Sequence, residues 1–425
     1  MKKLFYTFIS IFAIILLSSC NNKSNETQEF KPSLDTNTSC NLRVVGDYGN
    51  FEALEKEVEI FKDYYPNVRI NYEKIDKYDE NIVTVLNSSS KPNIFFSYSK
   101  YEESKDIMSH MEDLSDEKLN INIGCIKNNL IKKDKDNKVL MIPIFSRTYG
   151  MLVNENLFKK ENINIPNNLN ELMNICNSFK DKGYKSPMMG YTKDSKSVNS
   201  MLNTIAYPLF VLEIAKNKEA LDLANNLDSR AGEYTKNALT VVKNLISNGY
   251  INIEECNTIK DNYEAVIMRF FEGDVPMMLC AADTVSGTKK REERSEAFSK
   301  SPFNYSYIPV PTTNEGGYFI DSPSVEFSVN KDCDNLDMTN EFMRFLISDK
   351  ELNNMAAVKG LISPTKNSTD SIYNPFIKIP SERIISPEVI GIKDQLTKQI
   401  RIAAHKVGQG EITVDEAVNM YGTFA

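Results

Sequence analysis

The chain has 425 residues, 41% hydrophobic and 25% charged, which is enough for about two or three globular domains with a sizeable core and excludes a small disulfide-stapled scaffold. Its net charge of -8 excludes a general nucleic-acid binder, which needs a basic face to displace counterions. With 2 His, His110 and His405, and no Trp, a multi-histidine metal cage is excluded too, and neither a metal nor a cofactor is expected.

Lys2 and Lys3 open the chain, and an apolar run follows from Leu4 to Leu17. The run is too short for a comfortable membrane span of roughly 20 residues and has the size of a signal core. Leu17-Ser18-Ser19-Cys20 resembles a bacterial lipobox. That resemblance implies a lipoprotein signal peptide over 1–19, cleavage before Cys20, and a diacylglycerol anchor on the Cys20 thiol. Residues 21–39 are almost wholly polar, so 20–40 reads as a lipidated cysteine and an unstructured tether. Six further cysteines follow, Cys40, Cys125, Cys176, Cys256, Cys280 and Cys333, none in CxxC spacing. Their even number permits disulfides, but several lie in apolar stretches and are expected to be mostly free buried thiols.

From residue 42 onward, strand and helix alternate. Leu42–Val45 is a strand candidate closed by Gly46-Asp47-Tyr48-Gly49. Phe51, Leu54, Val58, Phe61 and Tyr65 then repeat at helical spacing, with Asn50 placed to cap the helix and Pro66 to end it. Val68–Tyr72 alternates as a second strand, a polar helix covers 79–87, and 92–96 is a third strand. This order predicts parallel pairing with right-handed crossovers. The charge run 132–138 reads as a solvated turn before strands at 139–144 and 148–153. A helix is expected after Asn168 with Glu171 as capping partner, long helical stretches at 199–227 and 231–249, and a buried strand at 276–279. Strands at 305–309 and 326–329, helices at 336–347 and 350–357, and a Thr413-x-x-Glu416 capped helix complete the pattern.

These landmarks resemble the bacterial extracellular solute-binding proteins of ABC importers, in the branch rich in sugar binders. The resemblance rests on the opening 46–51 turn and its helix, Lys91-Pro92-Asn93-Ile94 with Asn93 where Asp is usual, Ile142-Pro143-Ile144, 150–158, 168–172 and Phe271-Glu272-Gly273-Asp274-Val275-Pro276-Met277. It implies an α/β, two-lobed periplasmic-binding-protein-like fold (type II), with the ligand in a cleft between lobes joined by a hinge. Lobe 1 is expected over 41–146 plus 318–370 and lobe 2 over 147–317 plus 371–425. The first crossing is expected near Ile144–Arg147 and the second near Gly317–Asp321. It also implies a monomer that does no chemistry, captures a small solute (a mono- or oligosaccharide) and docks on ABC permease subunits in the membrane. A polyol phosphate as ligand, a surface hydrolase and an adhesin lipoprotein are the alternatives.

In open α/β sheets ligands sit at the carboxyl ends of the strands. That places Asp47, Tyr48, Phe51, Tyr98, Asp283, Arg147, Tyr149, Tyr318 and Asp321 at the cleft, and Tyr191 facing it from lobe 2. Aromatic faces offer flat apolar area, and carboxylates can accept bonds from two hydroxyls of one sugar. Asp283 has a competing reading as the cap of a helix over 284–297, and Arg147 as a hinge ion pair. Phe95 and Phe96 read as core, the two histidines as surface or cap residues, and Lys289–Arg294 as a solvated helix face.

Overall fold

The computed structural model describes residues 29–260, 263–369 and 371–424. The expected signal peptide, Cys20 and the first part of the tether lie outside them. Residues 29–33 group with the N-terminal unit and form no regular element. The body begins at Leu34, whose amide donates to the Tyr65 hydroxyl at 3.2 Å, and Cys40 already belongs to the first strand. Residues 34–40, read from the sequence as tether, therefore belong to the body.

Two sheets organise the body. The first has the order β2-β1-β3-β10-β4, built from β1 (Cys40–Gly46), β2 (Val68–Lys74), β3 (Ile94–Ser97), β4 (Ile142–Arg147) and β10 (Ser322–Val329). β1 pairs in parallel with β2 and β3, as the helix crossovers Glu52–Lys62 and Tyr78–Leu86 require. β10 inserts antiparallel between β3 and β4, so a late strand completes an early sheet. The second sheet has the order β6-β7-β5-β8, from β5 (Tyr149–Asn154), β6 (Met188–Gly190), β7 (Met277–Ala281) and β8 (Tyr305–Ile308). A short pair, β9 (Phe319–Ile320) with β11 (Ile384–Ile385), lies on the return path. β4 and β5 are separated by Thr148 alone, so the chain changes sheets at that residue.

The first sheet is held by an aromatic core. Phe51 meets Phe96 at 5.5 Å, Phe145 at 6.1 Å and Phe327 at 6.2 Å between ring centroids, in edge-on geometry. Gly46 ends β1 against this core, where a Cβ would lie 2.7 Å from the Phe96 ring. Phe51 also takes the N-cap position of Glu52–Lys62 without any side-chain cap, so Asn50 is one residue too early to cap it. Burial of the ring fixes the helix start. On the outer face Phe61 packs on Phe342 and Phe345, and Tyr65 Oη donates to Glu341 at 2.5 Å.

The second sheet carries the larger apolar cluster. Helix Met201–Ile214 is buried on nearly every side, as expected of a helix apolar all round, and it packs against Lys236–Ser247 and Asp394–Gly408. The stretch 199–227 is not one helix: Asn217 caps a second one, Lys218–Asn225. Nor is 284–297: it divides into Ala282–Val285, Thr288–Glu292 and Glu296–Lys300, the last capped by Ser295. Asn168 caps Leu169–Asp181 and Glu171 reaches back to the Asn167 amide, while Thr413 and Glu416 form the full capping box. Cys40, Cys125, Cys176, Cys256, Cys280 and Cys333 are all free. No helix among the described residues is long and apolar enough to cross a membrane.

Candidate functional site

The carboxyl ends of β1 and β3 and the start of β10 face a crevice whose opposite wall comes from the second sheet and the helix Asp394–Gly408. One cavity of ≈ 270 Å³ is lined by Asp47, Tyr98, Lys100, Glu326 and Ser324, among others. A second, of ≈ 210 Å³, is lined by Tyr149, Tyr207, Glu388, Thr397 and Arg401, among others. Arg147 and Asp394 line both, so the two are neighbouring chambers of one cleft.

On the first wall, Tyr98 Oη donates to Asp47 Oδ2 at 2.8 Å. Burial raises the Tyr98 phenol far above its usual range, and the Asp47 carboxylate adds to this, so the hydroxyl stays a donor. Asp79 accepts from Lys100 at 2.5 Å and from Tyr101 at 2.7 Å. Tyr48 stands beside these groups with Lys359 Nζ 4.0 Å from its ring centroid. On the second wall Tyr149 meets Tyr207 edge-on at 5.4 Å, and Arg401 Nε donates to the Ser195 carbonyl at 2.9 Å. Burial works against the Arg147 charge, yet Tyr149, Asp283 and Glu388 around it raise its pKa on balance. Burial pushes Glu388 up to about 7 although Arg147 lowers it, and one of its oxygens has no hydrogen-bond partner. Glu326, 5% exposed, is pushed up to about 8 by burial and by the nearby Glu388 and Glu102.

The residues singled out in the sequence divide into three groups. Asp47, Tyr98, Arg147 and Tyr149 line the cleft. Tyr48 and Asp283 border it; Asp283 faces Ser324 across the two walls at 3.5 Å, and it is not a helix cap, because Ala281 holds that position. The remaining four do not line the cavities. Phe51 is 0% exposed in the aromatic core, because its ring is the hub of that cluster. Tyr191 is 8% exposed and packs in the core of the second sheet, and Tyr318 packs half-buried against the same core. Asp321, 0% exposed, accepts from Ser146 on β4 and from Lys127 at 3.3 Å and Asn129 at 3.1 Å in the 127–130 segment, so its bonds join that segment to β4. His110 sits 3.3 Å from Asp332, and Phe95 and Phe96 are core residues.

Sequence reasoning missed Glu326, Glu388, Asp394, Tyr207 and Arg401. Glu326 alone had a local signal, as a single acid between Val325 and Phe327 in a buried strand. The pairing of β10 with β4 slips on both sides of Val325, an irregularity of the kind that re-aims a side chain.

Residues 56–378 match the family of bacterial extracellular solute-binding proteins, and the chain belongs to that family. The fold is that of the two-lobed solute-binding proteins. The chain is similar to apo RafE from Streptococcus pneumoniae, with a TM-score of 0.71 at 16% identity over 93% of this chain and 98% of that one. It is similar to the sugar-binding protein MalE from Xanthomonas citri, with a TM-score of 0.71 at 15% identity over 90% of this chain and 95% of that one. A sugar transporter from Bacillus licheniformis in complex with stachyose gives 0.63 at 17% identity, covering 91% of this chain and 100% of that one. A sequence comparison with curated proteins finds no match.

Proposed function

We propose that this chain is the capture component of an ABC importer, a lipoprotein anchored through Cys20 on the outer face of the cell membrane. It takes a mono- or oligosaccharide into the cleft and presents it to membrane permease subunits. The lobes of this reading are 41–146 plus 318–370 and 147–317 plus 371–425. The observation that carries it is the composition of the cleft: Asp47 and Tyr98 from one sheet stand opposite Tyr149, Tyr207 and Arg401 from the other side, with Arg147 between. Flat aromatic area and convergent polar groups suit a polyhydroxylated ring. A solute touching both walls favours the closed arrangement by its extra contacts there, which is hinge closure by differential affinity. Asp283 with Ser324, and Lys290 with Glu52 at 3.6 Å, already meet across the walls. The acidic excess among the lining groups speaks against a phosphorylated solute.

Thermal unfolding of residues 21–425 against sugars, polyols and their phosphates tests the reading. A ligand of the folded form adds about 2.7 kcal/mol of stability at a hundred times its dissociation constant. A midpoint rise with one sugar series is expected. A rise with phosphates alone, or none across a wide sugar panel, overturns the sugar assignment. Palmitate labelling of the full chain in a bacterial host, lost in Cys20→Ser, tests the anchor.

A further inference from the structure

The cleft holds more carboxyl groups than its own cations can satisfy. Asp79 is engaged by Lys100 and Tyr101, and Asp47 by Tyr98. Glu326, Glu388 and Asp394 remain, and Arg147 is the cation that lines both chambers with them. Glu326 is the telling one. It lines the larger chamber from mid-strand, is nine-tenths buried, and has no hydrogen bond or ion pair among the described residues. A buried carboxyl without a partner costs stability, and a cationic partner offsets more of that cost than a neutral hydroxyl does. Lys132, the other cation near it, is paired with Glu102. No group of three or more His, Cys, Asp or Glu that could hold a metal ion is found among the described residues.

Resting on the sugar-binding reading above, we propose that the solute carries a free amine, and that the Glu326 carboxylate receives its ammonium, with Asp394 and Glu388 alongside. The ligand class is an amino sugar, or an oligosaccharide with an unacetylated amine. Burial pushes Glu326 up to about 8, so without a cation beside it the carboxyl holds a proton at neutral pH; the bound ammonium takes that proton's place and the proton leaves to solvent. A charged hydrogen bond to a buried carboxyl discriminates strongly against the neutral isostere, because the neutral ligand leaves the acid unpaired.

The test is calorimetric binding to residues 21–425 at a pH where the amines are charged. The probes are glucosamine and its β-1,4-linked dimer and trimer, the matching glucose oligomers, and spermidine. The expected result is at least about tenfold tighter binding of the amines than of their neutral counterparts. Glu326→Gln is expected to erase that preference while keeping a cooperative unfolding transition. Asp394→Asn, at an exposed position and therefore harmless to folding, is expected to reduce the preference by a smaller factor. Glucose oligomers binding as tightly as the amines, or an unchanged preference in Glu326→Gln, overturns the inference and leaves the sugar reading standing. Spermidine bound without any carbohydrate overturns the sugar reading and the amino-sugar class with it. Binding of none of the probes overturns both.

Discussion

Tyr98 Oη donates to Asp47 Oδ2 at 2.8 Å, and this bond ties the end of β3 to the end of β1 at the mouth of the cleft. It fixes the carboxylate's direction and engages only one of its two oxygens. Tyr98→Phe removes the donor and keeps the ring. Because Asp47 is exposed and regains water, the expected loss of stability is within about 1 kcal/mol. Ligand affinity is expected to fall roughly three- to tenfold, since the carboxylate is no longer held. Urea unfolding and calorimetry on the same preparation separate the two. A large stability loss with intact affinity would mean that the bond serves the fold alone.

Asp321 is a different kind of acid. Buried between Ser146, Lys127 and Asn129, it ties β4 to the 127–130 segment. Asp321→Ala leaves Lys127 without its ion-pair partner in a half-buried place. The expected cost is about 3–5 kcal/mol, measured as a shift in the urea midpoint. A shift below about 1 kcal/mol would show that the network is replaceable by water.

The pH dependence of stability carries a definite sign. Glu326 and Glu388 have folded pKa values raised to about 8 and about 7 from an ordinary value of 4.5. Between that ordinary value and the folded one the native state binds more protons than the unfolded chain, so stability falls as pH rises through this window and levels off above it. Glu57, held up to about 8 by burial beside Glu351, contributes in the same direction. The Glu326 share is isolated by difference: Glu326→Gln is expected to show a shallower decline of the unfolding midpoint from mildly acidic pH to pH 8 than the parent. Parallel curves would show that Glu326 does not titrate in that range.

Asn93 explains a departure from the family pattern, where Asp is usual. Its Oδ1 accepts from the Arg43 amide at 2.9 Å, and its Nδ2 donates to the Asp334 carbonyl at 2.6 Å and to Thr339 Oγ1 at 2.9 Å. A carboxylate can serve only the first of these roles. Asn93→Asp therefore sets a charge against a carbonyl oxygen and is expected to cost about 1–3 kcal/mol at neutral pH, with partial recovery on acidification. Chemical denaturation at two pH values reads it. An equally stable variant would mean that the donors find other partners.

Six free thiols, four of them buried, predict that a reducing agent leaves the unfolding midpoint of residues 21–425 unchanged. Burial raises the Cys176 and Cys125 thiols to about 12, which keeps them protonated and slow to oxidise. A midpoint that drops on reduction would reveal a bridge.

The first three strands and their helices were legible because alternation and helical period change cleanly along 42–96. The ends of those strands supplied Asp47 and Tyr98, and the crossing near Ile144–Arg147 that the family resemblance implied supplied Arg147 and Tyr149. Aromatic identity misled elsewhere. Phe51 and Tyr191 have the chemistry of ligand-stacking residues, but burial of a large ring in a core offers more than exposure at a cleft, and the chain spent them there. Glu388, Asp394 and Arg401 were invisible for a topological reason. They sit on Pro387–Ile390 and Asp394–Gly408, which reach the cleft only after the chain has returned past β9, and no local pattern reports that return.

Arg147 and Tyr149 are two residues apart, yet they close different sheets and face the same solute space. Thr148 between them is buried, and its carbonyl accepts from the Ala282 amide at 2.9 Å. One tripeptide thus both lines the cleft and carries the chain from one sheet to the other. A substitution at Arg147 therefore alters the cleft lining and the sheet crossover in the same step, and the two cannot be varied independently at that position.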